Sequence, residues 1–334
     1  GREGVTNSEL RTPNSELLFF GIQHHYAHIA SVMAERGIKD KVIGVAFDGT
    51  GYGMDGNLWG GEFLVCDLNG FERAAHFKYI TLPGGTKAIK DCWRTAISYI
   101  VKSLEFKVMS YEGKGVYQGI DSEPRTLNSK VVWDCLNSIG FVNRYGRNNI
   151  ENILKIIDNR QFSPLSSGAG RLFDAVSAIA GICDENTFEG EAAIALENIV
   201  HGSQFTVHNE IYPFEILDCE PLIVDFSKMI LQIIGDVRSK ENKGIIAVRF
   251  HNTIVNVITE AVNRISKKYR INDVVLSGGV FQNEYLLDGV FRQLSSLGFN
   301  VYTNEKVPCN DAGISLGQAY IIRERLKMHA PKIH

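Results

Sequence analysis

The stretch "KVIGVAFDGTGYGMDGNLWGGEF", residues 41–63, contains the most informative structural pattern of the sequence. Its first part, Lys41 to Phe47, is a near-continuous apolar run, which is typical of a strand buried on both faces. The run ends in "DGTGYG", so Asp48 stands at the mouth of a glycine-rich turn. The glycines at 51, 53 and 56 spell GxGxxG, but a dinucleotide site needs a helix next, and "LWGGEFLVCDL" alternates like a strand. The stretch therefore predicts a tight β-hairpin and not a dinucleotide site.

A similar order of strand, glycine turn and polar residue returns near the other end of the chain. The run Asp273 to Leu276 predicts a short strand, and Gly278 and Gly279 then lead into a helix, "VFQNEYLLDGVFRQL". A glycine turn at a helix N-terminus offers backbone N–H groups to a phosphate, although a plain strand–helix connection has the same pattern. The run "FNVYTN" predicts another strand, and Asp311 precedes the helix "AGISLGQAYIIRERL". Asp311 fits either the N-cap of that helix or a metal ligand.

Three of the nine histidines stand within five positions of the segment "GIQHHYAHIA", residues 21–30. The segment predicts a helix that ends at Gly37. On this helix His24 and His28 are one turn apart and share a face, while His25 points elsewhere. Two imidazoles at this spacing can bind one metal ion, and the alternative is an ordinary polar helix entry. A zincin protease is excluded because its glutamate would have to follow the first histidine.

The middle of the chain is helical. The segments "GAGRLFDAVSAIAGI" and "TFEGEAAIALENIV" predict two helices, the second after a turn at Gly190. Asp174 stands among apolar neighbours in the first, which suggests a functional role, although a solvated helix face explains it equally well. Residues 109–130, from Met109 to Lys130, are polar and predict a long loop. Strands that precede helices in both halves favour an α/β protein of two lobes with a cleft between them.

Composition excludes several classes of function. The 334 residues are 44% hydrophobic with a formal net charge of −3, which gives no sign of a nucleic-acid-binding surface. We find neither a signal peptide nor an apolar run that approaches the length of a membrane span. The six cysteines are dispersed and form no CxxC pair, which favours free thiols in a reducing cytoplasm. Residues 1–20 carry no core pattern and are interpreted as a tail or a truncated linker.

Seven motifs between Gly21 and Tyr320 occur in the order found in the hydrogenase-maturation carbamoyltransferases of the HypF family. They are "QHHYAHIAS", "GVAFDGTGYGMDGNLWGGEF", "LPGG", "GRLFDAVSA", "FEGEAA", "LSGGVFQN" and "PCNDAGISLGQA". The chain resembles the C-terminal transferase portion of this family, without its acylphosphatase, zinc-finger and carbamoyl-adenylate-forming domains. It is also similar to threonylcarbamoyl-transferases that modify tRNA and to antibiotic O-carbamoyltransferases.

The resemblance implies the two-lobed α/β fold of actin, Hsp70 and sugar kinases, with a nucleotide and metal cleft between the lobes. We expect residues 21–165 to form the first lobe, which carries the HxxxH and DGTG motifs. Residues 166–334 would form the second, nucleotide-binding lobe, with the last helix packing back on the first.

The resemblance also implies the site residues. His24 and His28 would be imidazole ligands of an iron or zinc ion, with magnesium a further option, and Asp311 would be a carboxylate ligand. Asp48 would be the fourth ligand, although the tRNA-modifying relatives lack Asp at this position. His24, His28 and Asp48 would form the catalytic set. The nucleotide, ATP or carbamoyl-adenylate, would be held by seven residues: Gly49 and Thr50 at the phosphate, Asp174 at the ribose, and Gly190, Gly278, Gly279 and Asn283 around the adenosine.

The implied reaction transfers a carbamoyl group from carbamoyl-adenylate to the C-terminal cysteine thiol of HypE, for synthesis of the cyanide ligand of nickel–iron hydrogenases. Carbamoyl phosphate and ATP would enter through the missing upstream domains, and neither nucleic acid nor membrane would take part. Two alternatives stay open. One is an O-carbamoyltransferase that acts on a small-molecule hydroxyl, and the other is a nucleotide-dependent docking module without turnover.

Overall fold

One sheet and the helices that cover it account for the regular structure of residues 19–111, 129–201 and 210–329, the part of the chain that the computed structural model describes. The strands are β1 Val42–Tyr52, β2 Leu58–Cys66, β3 Phe71–Phe77, β4 Ile80–Thr81, β5 Leu165–Ser166, β6 Glu215–Leu217, β7 Leu222–Asp225, β8 Asp273–Ser277 and β9 Asn300–Thr303. The helices are α1 His24–Arg36, α2 Thr86–Lys90, α3 Cys92–Tyr111, α4 Ser129–Ser138, α5 Phe141–Tyr145, α6 Arg147–Ile156, α7 Ala169–Ile179, α8 Glu191–His201, α9 Ser227–Arg238, α10 Lys243–Tyr269, α11 Glu284–Ser296 and α12 Ile314–His329.

The sheet places β1 between an antiparallel and a parallel neighbour. The strand order is β6-β7-β3-β2-β1-β8-β9, with β5 beside β2 and β4 beside β5. β1 pairs antiparallel with β2, which confirms the predicted hairpin, and parallel with β8. The predicted strand stopped at Phe47, which is wrong, because β1 continues to Tyr52 after a shift of register between Phe47 and Gly51. The shift is a local irregularity of the bulge type, and it places Asp48 to Thr50 where the regular ladder is interrupted.

The side chains of β1 enter two hydrophobic cores, one on each face of the sheet. Ile43, Val45 and Phe47 join the large core, which α3, α7, α9, α10 and α11 cover. Val42 and Ala46 join the smaller core, which α1 and α12 cover. This arrangement confirms the prediction of a strand buried on both faces, since alternate residues of a strand point to opposite sides.

Helix α10 corrects one expectation from the sequence. By length and composition alone it could cross a membrane, although we found no such run in the sequence. In the structure 67% of its most apolar window is buried inside the protein. The apolar character of α10 is therefore explained by its place in the large core.

The sheet crosses the lobe boundary predicted between residues 165 and 166. Strands from both predicted lobes pair, β1 with β8 and β3 with β7. At the other end of the chain α12 packs against α1 through Tyr320 and Ile321 in the smaller core. The division into two lobes at this point stays a prediction. Residues 1–18 of the predicted tail and 112–128 of the predicted loop lie outside the described residues.

Candidate metal centre

Helix α1 presents two histidines on one face. The side chain of Gln23 caps its first turn by accepting a hydrogen bond from the Tyr26 N–H, and Gly37 ends it with φ of 67°. The Nε2 atoms of His24 and His28 lie 3.2 Å apart. His25 is fully buried on another side, where its Nδ1 lies 3.0 Å from the Gln23 side-chain amide. The predicted helix, its end and the different direction of His25 are confirmed.

Two glycines bring α1 close to its neighbours. A Cβ atom on Gly44 of β1 would overlap the side chain of Ile29, and one on Gly317 of α12 would overlap the carbonyl oxygen of Ala27. Because neither glycine has a side chain, α1 fits between β1 and α12. The histidine face therefore lies beside the end of β1 and the start of α12.

Two carboxylates complete the cluster. Asp48 Oδ2 lies 3.0 Å from His24 Nε2 and 3.7 Å from His28 Nε2. Asp311 Oδ1 lies 3.4 Å and 3.3 Å from the same two nitrogens. One ligand atom from each of the four residues lies within 4.8 Å of all the others. Donors at metal bonds of about 2.0–2.2 Å in a tetrahedron are roughly 3.3–3.6 Å apart, so these residues fit a single ion with little movement.

Asp311 is free for this role because it does not cap the helix. The N-cap before the 3₁₀ turn Asp311–Gly313 is Asn310, whose side chain accepts a hydrogen bond from the Ala312 N–H, and α12 begins only at Ile314. The N-cap interpretation of Asp311 is therefore wrong. Its side chain is 65% exposed, so the cluster is open to solvent on this side.

The charges of the cluster favour a cation between its side chains. Burial by itself lowers the pKa of His28, but hydrogen bonds and negative charge from Asp311 and Asp48 outweigh it and raise that pKa to about 9. Burial likewise raises the pKa of Asp48, but hydrogen bonds from His24 and His28 hold it well below its usual range. By contrast, burial lowers the pKa of His25 to about 4, so this residue stays neutral.

The second glycine turn lies against the same cluster. Gly278 has φ of 106°, donates its N–H to the Cys309 carbonyl at 2.9 Å, and approaches β1 so closely that a Cβ would overlap the Phe47 backbone. A Cβ on Gly279 would lie 3.1 Å from Asp48 Oδ1. Both glycines are therefore at the metal cluster. Cys309 contributes its carbonyl oxygen here and packs against the large core.

The other residues predicted to bind the nucleotide differ in how far they are buried and in what they contact. Gly49 and Thr50 follow Asp48 in β1 and are half-buried. Gly190, with φ of 79°, immediately precedes α8. The side chain of Asn283 is engaged inside the protein: its oxygen accepts from the Leu286 N–H, and its nitrogen donates to His251 Nε2 at 2.9 Å.

Asp174 is buried and ion-paired. Its side chain is 1% exposed, its Oδ2 lies 3.0 Å from Arg171 Nη2, and its Oδ1 accepts from Asn186 at 3.2 Å. The solvated-face interpretation is therefore wrong. The contacts of Asp174 with Arg171 and Asn186 were not predicted from the sequence. The spacing of three residues between Arg171 and Asp174 on a helix is nevertheless a recognisable signal of an ion pair.

A large cavity in the described part of the chain lies elsewhere. It has a volume of about 1140 Å³ and is lined by Phe106, by residues 211–218 around β6, and by parts of α9 and α10. None of the predicted site residues lines it. We therefore take the convergence of ligands, and not cavity size, as the mark of the functional site, because a metal centre needs donor atoms more than volume.

The chain is similar in sequence to known carbamoyltransferases. Residues 44–318 match the family model described as "Carbamoyltransferase, Kae1-like Domain, second subdomain", a range that runs through the boundary predicted between residues 165 and 166. Carbamoyltransferase HypF of Synechocystis sp. is 37% identical over 304 residues, which are 89% of this chain and 36% of that protein.

The chain is also similar to two solved structures of HypF. A crystal structure of full-length HypF in the phosphate- and nucleotide-bound form shares 42% identity at a TM-score of 0.79, over 94% of this chain and 37% of that one. Crystalline HypF of T. kodakarensis shares 26% identity at a TM-score of 0.74, over 92% of this chain and 37% of that one. The predicted α/β, actin-like fold class is confirmed by these neighbours. The chain spans about a third of the length of the curated relatives it matches.

Proposed function

This chain belongs to the HypF carbamoyltransferase family, and from that membership we propose that it transfers a carbamoyl group from carbamoyl-adenylate to the C-terminal cysteine thiol of HypE, in the cytoplasm, during maturation of nickel–iron hydrogenases. The observation that carries the proposal is the metal cluster. Four ligand atoms from residues far apart in the sequence lie within 4.8 Å of one another, beside two glycine turns.

The cluster would hold a divalent metal ion. His24 and His28 would bind through Nε2, and Asp48 and Asp311 would bind through one carboxylate oxygen each. Imidazole together with carboxylate suits iron or zinc better than magnesium, which prefers oxygen ligands alone. When bound, such an ion supplies Lewis-acid stabilisation to phosphate oxygens.

The nucleotide would lie beside this cluster. Gly49 and Thr50 would meet the phosphate, and Gly278 and Gly279 would line the adenosine pocket. The phosphate- and nucleotide-bound form of the crystalline HypF relative supports nucleotide binding in this family. Helix α8 lies next to the glycine turn, since Glu197 accepts a hydrogen bond of 2.7 Å from the N–H of Glu284. Gly190 at the start of α8 can therefore share one adenosine pocket with Asn283 at the start of α11.

Asp174 would bind the ribose through the same carboxylate that contacts Arg171 and Asn186. Its Oδ1 accepts from Asn186, while its Oδ2 is ion-paired with Arg171 but accepts no hydrogen bond from the described residues. A ribose hydroxyl would have to donate to a remaining lone pair or displace Asn186. Each carboxylate oxygen can accept more than one hydrogen bond, so the ribose role is compatible with the ion pair.

The transfer step is an acyl substitution at the carbamoyl carbon. The cysteine thiolate of HypE attacks that carbon, a C–S bond forms, and the C–O bond to the phosphate of AMP breaks, with AMP keeping the electron pair. The residues of this chain bind and orient the phosphate so that the carbamoyl carbon faces solvent at the Asp311 side. The exposed side chain of Asp311 marks where the acceptor tail would enter.

The proposal is tested by supplying the activated donor directly. The purified chain, preformed carbamoyl-adenylate and HypE should give HypE that carries one carbamoyl group on its terminal cysteine, with release of AMP. Carbamoyl phosphate and ATP in place of the adenylate should leave HypE unmodified, because no part of this chain is assigned to forming the adenylate. Intact-mass spectrometry of HypE measures both results, and HypE with its terminal cysteine replaced by serine is the control.

The rival functions give different products. Carbamoylation of a sugar hydroxyl, with HypE unmodified, would replace the proposal by O-carbamoyl transfer. Binding of adenylate without any transferred product would replace it by a docking module. Modified HypE in the incubation with carbamoyl phosphate and ATP would show that this chain also makes the adenylate.

A further inference from the structure

The first turn of α7 contains a buried guanidinium with unused hydrogen-bond donors. Arg171 is 5% exposed, and its Nε and Nη1 atoms have no hydrogen-bond partner among the described residues. Only Nη2 is engaged, 3.0 Å from Asp174 Oδ2. Buried donors in proteins are nearly always hydrogen-bonded, so two unpaired N–H groups on one arginine indicate a missing partner.

The same turn also has no side-chain cap among the described residues. Every residue of α7 is buried, and its N-cap is Gly168, which has no side chain to accept hydrogen bonds from the first turn. The first N–H groups of a helix have no intrahelical acceptor, and together they form the positive end of its dipole. A buried, uncapped helix start beside a buried arginine therefore favours a negative group.

This turn lies directly behind the residue that follows the metal ligand Asp48. A Cβ on Gly170 would lie 3.0 Å from the Cα of Gly49, and one on Gly168 would overlap the Gly49 carbonyl oxygen. A Cβ on Gly49 itself would lie 3.5 Å from Arg171 Nη2. The guanidinium is thus separated from the metal cluster by a single residue of β1.

We propose that Arg171 and the first turn of α7, which lie on the opposite side of Gly49 from the metal ligands, bind the phosphate group of the adenylate. The inference rests on the proposed function, which puts the nucleotide in this cleft, and it adds a phosphate-binding residue to it. Arg171 contributes hydrogen bonds from Nε and Nη1, and Asp174 acts as a positioning residue that fixes the guanidinium through Nη2. Phosphate chemistry suits this seat because planar guanidinium donors and helix N-termini are both frequent phosphate ligands.

The test measures binding and not turnover. Calorimetric affinities for AMP, inorganic phosphate and adenosine are compared in the zinc-loaded chain and its variants. Arg171→Gln should weaken AMP binding by about tenfold or more, as expected for the loss of hydrogen bonds from a charged group. Arg171→Lys should restore part of the affinity. Arg249→Gln, the matched control, removes another ion-paired arginine that is only 20% exposed and should leave all three affinities unchanged.

Two further measurements separate phosphate binding from a structural effect. Adenosine, which has no phosphate, should bind equally well before and after the change at Arg171. If Arg171→Gln does not fold, Arg171→Lys decides the question: it keeps a positive charge beside Asp174 but lacks the Nε and Nη1 donors, so it should weaken AMP binding and leave adenosine binding unchanged.

Three outcomes of these binding measurements would contradict the role of Arg171. Unchanged AMP affinity in a folded variant, an equal loss for adenosine, or a loss for inorganic phosphate alone would each overturn it. The first result would mean that ordered water satisfies Arg171. Failure of carbamoyl transfer to HypE would overturn the proposed function while leaving this binding result intact.

Discussion

At the scale of single residues, the three clustered histidines show that position decides the chemistry of one residue type. His28 and His25 are both fully or almost fully buried, yet their pKa values move in opposite directions, to about 9 and about 4. The difference comes from Asp48 and Asp311, which face His28 and make a positive charge favourable there. His25 has no such carboxylate within hydrogen-bond distance, so burial decides its state.

Removal of one imidazole ligand should abolish metal binding. We expect His28→Gln to lose the bound iron or zinc and to keep the fold, because the cluster lies at an open edge while the cores lie on the two faces of the sheet. Metal content per chain by mass spectrometry, with circular dichroism for the fold, measures this. His201→Gln is the control, because His201 is half exposed and its described ion-pair partner is Glu197, which is not one of the four candidate ligands. Full metal content in the His28 variant would contradict the assignment.

The metal-free chain should lose stability as the pH rises above neutrality. The pKa of His28 is raised from 6.5 to about 9, so the folded chain holds this proton more tightly than the unfolded chain. The stabilisation is therefore complete below pH 6.5 and is lost as the pH rises through about 9. Thermal unfolding in the presence of a chelator measures the decline. His28→Gln should flatten it, and an equally steep decline in that variant would assign the effect to another group.

At the scale of elements, the site depends on how closely α1 approaches α12. Gly317 allows this approach, since a Cβ there would overlap the carbonyl oxygen of Ala27, the residue directly before His28. Helix α1 carries His24 and His28, and Asp311 lies in the 3₁₀ turn that leads into α12. Their packing distance therefore sets the geometry of the metal cluster as well as the stability of the smaller core.

A matched pair of glycine substitutions tests this dependence. Gly317→Ala should destabilise the fold by about 1–3 kcal/mol, because the backbone of α1 must move to admit the methyl group. Gly235→Ala in α9 has open space around the new Cβ and should instead stabilise the fold by about 0.4–1 kcal/mol. Chemical denaturation gives both values, and metal affinity should fall only for Gly317→Ala. Equal stability of the two variants would show that α1 and α12 can separate without cost.

At the scale of the whole molecule, strand order brings the site together. β1 and β8 are parallel neighbours, so their carboxyl ends lie at one edge of the sheet, where α/β proteins bind ligands. Asp48 lies in the final part of β1, and Gly278 follows β8. β9 runs parallel to β8 and ends at the same edge, where Asp311 follows just before α12. A single sheet thereby collects residues from both ends of the sequence.

The local elements of this protein could be predicted from short-range patterns in the sequence. The apolar run before Asp48, the hairpin glycines, the helical spacing of His24 and His28 and the helix end at Gly37 are all signals between near neighbours. Family motifs added Asp311 and Asp48, which no local pattern would have paired. The predictions of strands, hairpin and helix end hold because periodicity and turn chemistry depend on residues a few positions apart.

Tertiary structure decided everything that depends on distant partners. Whether Asp311 faces His24 and His28 depended on the packing of α12 against α1, and whether Asp174 is buried depended on the helices and strands that pack around α7. The continuous sheet across the predicted lobe boundary and the unpaired donors of Arg171 were equally invisible in the sequence. The physical reason is that burial and hydrogen-bond satisfaction are properties of the packed chain, since the residue that covers or completes a polar group is set by strand order and helix packing.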